Sequence, residues 1–157
     1  REWTSVVATA ASPCKETPRN TRLVFTGWSG ASNATAASVT VMMDNFRTLN
    51  ATWRPQYYLA VVSEQGGPKG EGWYDAGAQA PFSITSPVGF LVQQVFEVWT
   101  GDSTATTSSA TVVMNGPKSV TARWATDYTQ LIVLVAIICL AVVIVALLRL
   151  RRTTPWD

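Results

Sequence analysis

Histidine does not occur in the 157 residues. With it go the commonest general base, the commonest transition-metal ligand and the side chain that titrates near neutral pH. Cysteine is almost as scarce, with Cys14 outside and Cys139 inside a long apolar run. The two are not expected to pair, so no disulfide framework is expected within the chain. Cys14 reads either as a lone thiol or as half of a bridge to another chain. Charged residues make up 14% of the sequence, against roughly 25% in soluble proteins. The apolar run explains part of that deficit, and the remainder of the chain carries its polarity on Ser, Thr, Asn and Gln. A net charge of +2 is too small to point to nucleic acid.

The chemistry of catalysis is also thin. Glu2, Glu16, Asp44, Glu64, Glu71, Asp75, Glu97, Asp102, Asp127 and Asp157 are scattered, and no two share a local context for acid–base work. The Gly66–Gly72 run lies between strand signals instead of leading into a helix, so it is punctuation and not a phosphate loop. No Cys/His spacing suits a metal. The expectation is a protein without enzymatic activity, cofactor or small-molecule substrate.

What the chain does have is a repeat. Val24–Tyr57 returns without a gap as Val95–Tyr128, 71 residues further on (24 to 95). Phe25/Phe96, Trp28/Trp99, Gly30/Gly101, Met43/Met114, Ala51/Ala122 and Trp53/Trp124 keep register. The second unit reads as a succession of strands: Tyr57–Val62, Ala80–Thr85, Gly89–Trp99 as the longest, then Ala110–Met114 and Ser119–Trp124 as a hairpin closed by Asn115-Gly116. No helical period of useful length precedes residue 129. The fold class is therefore all-β, with two tandem small β-rich repeat units followed by one C-terminal single-pass transmembrane α-helix. The expected divisions are 1–55, 56–127, 128–149 for the helix and 150–157 for a short basic cytoplasmic tail. The first unit lacks any counterpart of Tyr57–Gly70. Either a longer parent chain begins before Arg1, or a partner supplies the absent strand to what would otherwise be an unpaired sheet edge.

Seven tryptophans are many for this length. Two identical binding sites would explain their pairing, but filling two small cores is simpler, since one indole buries on the order of 200 Å². Phe25, Trp28, Trp53, Phe96, Trp99 and Trp124 are thus the expected repeat core. Trp3 and Trp73 are expected to be structural as well, and Trp156 to lie at an interface. The pattern Phe25-x-x-Trp28-x-Gly30, a polar loop, then Val41, Met43, Asp44, Arg47, Leu49, Ala51 and Trp53 resembles the divergent internalin-B-type B-repeat of bacterial and archaeal cell surfaces. Phe96, Trp99, Gly101, Asp102, Val112, Met114, Asn115, Lys118, Val120, Ala122 and Trp124 carry the same resemblance in the second unit. Val98 stands where the family usually has Gly, and Ala31 where it has an acidic residue. The resemblance implies small β-rich modules strung along extracellular proteins, with no catalytic residues and no cofactor, and the expected source is prokaryotic and archaeal.

Leu131–Leu148 contains no charge, Pro or Gly. At about 1.5 Å per residue it spans roughly 27 Å, close to the hydrocarbon thickness of a bilayer. Tyr128 stands at one end at interface depth, and Arg149, Arg151 and Arg152 stand at the other. The basic cluster places the C-terminus in the cytoplasm and the β-units outside, at a plasma membrane. Residues 1–4 show no apolar leader, so a cleaved signal is the expected route to that topology. The expected partners are the lipid bilayer and other protein subunits or surface-layer components. The leading expectation is a membrane-anchored surface protein whose β-repeats serve as a stalk or an adhesion and interaction module. The alternatives are an accessory single-pass subunit capping the outer face of a membrane complex, and the membrane-proximal end of a longer surface enzyme. Asn33-Ala34-Thr35 and Asn50-Ala51-Thr52 are N-glycosylation acceptors on the outer side of this topology. Mass spectrometry of native protein is expected to find glycan on Asn33, and a wholly unmodified Asn33 peptide would exclude it.

Overall fold

The computed structural model describes residues 4–12, 14–17 and 20–152, with backbone alone for 14–17 and 152. Trp3, Trp156, the Cys14 side chain and the tail beyond 152 fall outside the described parts. Among the described residues, ten strands precede one helix: β1 (Thr4–Thr9), β2 (Cys14–Thr17), β3 (Thr21–Gly30), β4 (Ser38–Met43), β5 (Leu49–Val62), β6 (Gly72–Asp75), β7 (Gln79–Ser83), β8 (Gln93–Gly101), β9 (Ser109–Val113), β10 (Lys118–Asp127) and α1 (Thr129–Arg152). The all-β class with a single C-terminal helix is what the chain adopts.

The strands form a six-stranded sheet, with β2-β3-β5-β10-β8 in order and β6 also on β5, and two separate pairs, β1-β4 and β7-β9. The repeat is reproduced in the pairing. Phe25 faces Trp53 and Trp28 faces Ala51, while Phe96 faces Trp124 and Trp99 faces Ala122. Each pairing also steps over one residue at the same point, Thr26 in β3 and Glu97 in β8, so even the bulge recurs. Likewise Val6 pairs with Val41 as Ala80 pairs with Val112. Two pairs of strands, one from each layer, make up each unit.

In the second unit the layers close over one core. Leu59, Val61, Ala80, Phe82, Ile84, Trp99, Met114, Val120 and Ala122 are buried together. Alternation explains who takes part: Ala80 and Phe82 of β7, and Val120 and Ala122 of β10, lie two apart and so face the same way. Fully burying each of the larger side chains contributes about 1.5–3 kcal/mol.

Three local expectations are revised. Ala110–Met114 and Ser119–Trp124 do not form a hairpin. β9 pairs with β7, whereas β10 pairs with β8 and with β5. Both strands turn apolar residues toward the same core, and burying both requires them to sit in opposite layers. The Asn115-Gly116-Pro117 segment is the crossing between those layers. Gly89–Trp99 is shorter than read, because Gly89 has φ +105° and the Val88 and Gln94 backbones bond to each other across a turn. Phe90, at 79% exposure, rides on that turn. Finally, the longest strand is β5, where the end of the first unit and the start of the second merge into 14 residues.

A clamp supports β5 at that merger. The Arg22 guanidinium lies 4.5 Å from the Trp73 ring and donates from Nε to Gln56 Oε1 at 2.8 Å. Gln56 in turn donates to Asp75 at 2.9 Å, and Arg54 reaches Asp75 at 3.1 Å. Trp73 also meets Tyr58 edge-on at 5.3 Å. Residues from β3, β5 and β6 are thereby tied together where one unit hands over to the next.

Gly30 and Gly101 end β3 and β8 with φ of +100° and +96°. A Cβ on either would come within 2.4 Å of a carbonyl oxygen, that of Thr48 or Ser119. Gly101→Ala is therefore expected to destabilise the second unit by about 1–3 kcal/mol. Gly116→Ala, where a Cβ would meet nothing, should stay within about 0.5 kcal/mol. Thermal unfolding followed by tryptophan fluorescence would test the contrast, and equal effects would refute it.

Candidate functional site

The paired aromatics are a frame in both units. Phe25 sits 5.3 Å from Trp28 and 5.5 Å from Trp53. Phe96 sits 5.4 Å from Trp99 and 6.3 Å from Trp124. Trp28 Nε1 donates to Ala36 O at 3.1 Å, and Trp99 Nε1 donates to Thr107 O at 3.0 Å. Each indole thus fastens the loop that follows its strand. Ser12 Oγ accepts from the Phe25 N–H, and Ser86 Oγ accepts from the Phe96 N–H. Repetition of these four bonds marks Phe25, Trp28, Phe96 and Trp99 as architecture, whereas Trp124 Nε1 alone donates to Ser63 Oγ, at 3.0 Å.

The copies diverge beside the positive-φ glycines. Asp102 accepts the Ser119 N–H at 2.7 Å and the Lys118 ammonium at 3.1 Å, joining the end of β8 to the start of β10. Those bonds, the Ser119 N–H first, hold the Asp102 carboxyl below its ordinary range. The first unit keeps the backbone link, Ala31 N–H to Thr48 O at 2.8 Å, but Ala31 offers no carboxylate. Arg47, the counterpart of Lys118, pairs with Asp44 instead.

They diverge most in closure. Trp99 and Met114 are wholly buried, whereas Trp28 is half-buried and Met43 is 41% exposed. Ala8 occupies the place of Phe82, the ring that stands edge-on to Trp99 at 4.9 Å. Among the described residues, the first unit has no strand in the place that Leu59–Val62 fill beside β10. What remains is an apolar groove of about 150 Å³ lined by Val6, Ala8, Val41, Met43, Arg47 and Leu49. Two other hollows lie in the second unit. One, of about 480 Å³, is lined by residues that include Lys69, Tyr74 and Pro81, and the other, of about 300 Å³, by residues that include Glu64, Arg123 and Trp124. Among the described residues, no group of three His, Cys, Asp or Glu side chains could hold a metal.

Residues 57–127 match the family model of the divergent InlB B-repeat domain. This segment is similar to a divergent InlB B-repeat domain. No curated protein and no solved structure matches the chain. The match begins at Tyr57, within β5, so the strand that closes the core of the second unit is part of the matched segment. A B-repeat is a surface and adhesion type of module, and here a helix able to cross a membrane follows it.

That helix starts one residue after β10. Asp127 accepts from the Thr129 N–H at 2.8 Å and from its hydroxyl, and Tyr128 O accepts the first helical bond from Ile132. Within Thr129–Arg151 an 18-residue window reaches a mean hydropathy of 3.7, and none of its residues is buried by the rest of the described chain. Tyr128 and Leu148 are exposed and Leu131 is partly covered. The helix continues through Arg149 and Arg151 to Arg152, which puts the cations on its final turn, where the helix dipole favours them. Asn33, in the loop before β4, and Asn50, on β5, are both exposed.

Asp102 could be picked out from the sequence only as an acidic residue after a glycine, and its two partners required the fold. Because its folded pKa is lowered, its contribution is complete above the unfolded carboxylate range and fades as pH falls through the folded value. Asp102→Asn is expected to cost on the order of 1 kcal/mol at pH 7, reduced by solvent screening at this partly exposed site. The gap between variant and parent should shrink below about pH 4. Unfolding midpoints measured across pH would check this, and a gap that widens in acid would contradict it.

Proposed function

We propose that this chain is a non-enzymatic, single-pass surface protein whose β-units stand outside the cell as a stalk and protein-interaction module. The continuity from β-units to helix carries the reading. β5 runs unbroken through both units, and Tyr128 alone separates β10 from α1. A protein whose outer part must move freely would place a linker there. This one is built so that the outer units follow the helix. The Arg149, Arg151 and Arg152 cluster supports a cytoplasmic C-terminus, and exposed Asn33 supports glycosylation on the outer side. Its partners are the bilayer and other proteins of the cell surface, met through the faces on which the two units differ.

Single cysteines introduced into a chain lacking Cys14 and Cys139 test the topology. A membrane-impermeant maleimide applied to intact cells is expected to label Gly116→Cys and to spare Asp157→Cys until the membrane is opened. Labelling of Asp157→Cys alone would reverse the orientation. Release of the chain by carbonate washing would remove the anchor altogether.

A further inference from the structure

The groove of the first unit has a filled counterpart in the same molecule. In the second unit, Leu59 to Val62 run parallel to Lys118 to Thr121, with Val61 opposite Val120. Leu59 and Val61 are buried in the core that this strand completes. By the repeat, Leu49 takes the place of Val120 and Arg47 that of Lys118, and both line the groove. Met43 and Val6 take the places of Met114 and Ala80. They are 41% and 49% exposed where their counterparts are at 0%. The groove is the second unit's core with one strand removed.

The sheet edge beside the groove is available too. Tyr57 pairs with both Thr21 and Tyr74, so β3 and β6 lie on opposite sides of β5. β3 covers its own side from Tyr57 back to Leu49, whereas β6 reaches only from Leu59 to Gln56. Among the described residues, no strand pairs with Leu49 and Asn50 on the β6 side. This is where a strand equivalent to Leu59–Val62 would lie.

We propose that the first unit binds an extended strand from another β-repeat, added parallel to β5 at Leu49 and Asn50, with two apolar side chains at alternate positions seated in the groove. The chemistry of the lining selects such an occupant. It is apolar apart from Arg47, which is already paired with Asp44, so a strand with polar inward residues would leave buried groups unsatisfied. Main-chain bonds along the edge would supply affinity, and the two side-chain seats would supply specificity. A volume near 150 Å³ is similar to that of cavities that admit a benzene-sized apolar group. The donor must carry a strand that runs on past its own unit, as β5 does. The last strand of a second copy is unsuitable, because β10 passes at Asp127 directly into α1. This inference does not depend on which way the helix crosses a membrane.

The test uses the 157-residue chain in lipid nanodiscs and a fluorescent peptide copying Arg54–Ser63. Anisotropy should show saturable binding at one site per chain, with slower amide exchange across Leu49–Ala51. A control peptide with aspartate in place of the copied Leu59 and Val61 should not bind. Leu49→Asp and, as a variant of an already exposed side chain, Met43→Lys should each weaken binding at least tenfold, with tryptophan emission showing that the fold persists. Absence of saturable binding would overturn the proposal, as would equal binding of the control peptide or indifference to Met43→Lys. Dimers that exclude the peptide, with cross-links from Met43→Cys to the other copy, would replace the proposed donor with a second copy.

Discussion

Everything in this molecule hangs on β5. Its first half supplies Leu49, Ala51 and Trp53 to one aromatic frame, and its second half supplies Leu59 and Val61 to the next core. One strand cannot shift register for one unit without shifting it for the other, because a single-residue slip turns every side chain to the opposite face. The Arg22–Trp73 contact and the Gln56–Asp75 bond sit at the midpoint of the strand, where such a slip would begin. The units are therefore coupled by covalent continuity first and by packing second.

The way the sheet is laid out shows what a linear reading could reach. Repeated Phe, Trp and Gly residues announced two units, because identical residues at a constant offset demand identical surroundings. The alternation Val120, Ala122, Trp124 announced the half-buried face of β10. Asn115-Gly116 led toward the wrong partner, since a local turn signal says nothing about which layer the following strand joins. The true partners, β7 for β9 and β8 for β10, are selected by apolar faces that meet only once the chain has folded. The merger of two strand signals into β5 was hidden for the opposite reason. The division expected between residues 55 and 56 falls inside β5, where Pro55 sits in pairing with Leu23 and the strand continues through it.

The groove was half legible. The missing counterpart of Tyr57–Gly70 could be counted directly from the repeat, and among the described residues no strand stands beside Leu49 and Asn50 on the β6 side. That the opening would also be a groove with specific seats depended on Ala8 replacing Phe82 and on Met43 standing uncovered, neither of which has meaning until the layers face each other. The same holds for the acidic residue lost at Ala31. As a departure from a family pattern it was silent, and in the fold it redirects Arg47 to Asp44 at the mouth of the groove.

Tyr128 has a consequence for direction. With one residue between β10 and α1, the rotational phase of the helix is passed on to the β-units almost without slack. Each residue of an α-helix turns the chain by about 100°. When α1 spans a bilayer, the side of the helix that settles against a neighbour also decides the compass bearing of the open groove. Helix packing inside the membrane and strand capture outside it then become a single orientation problem.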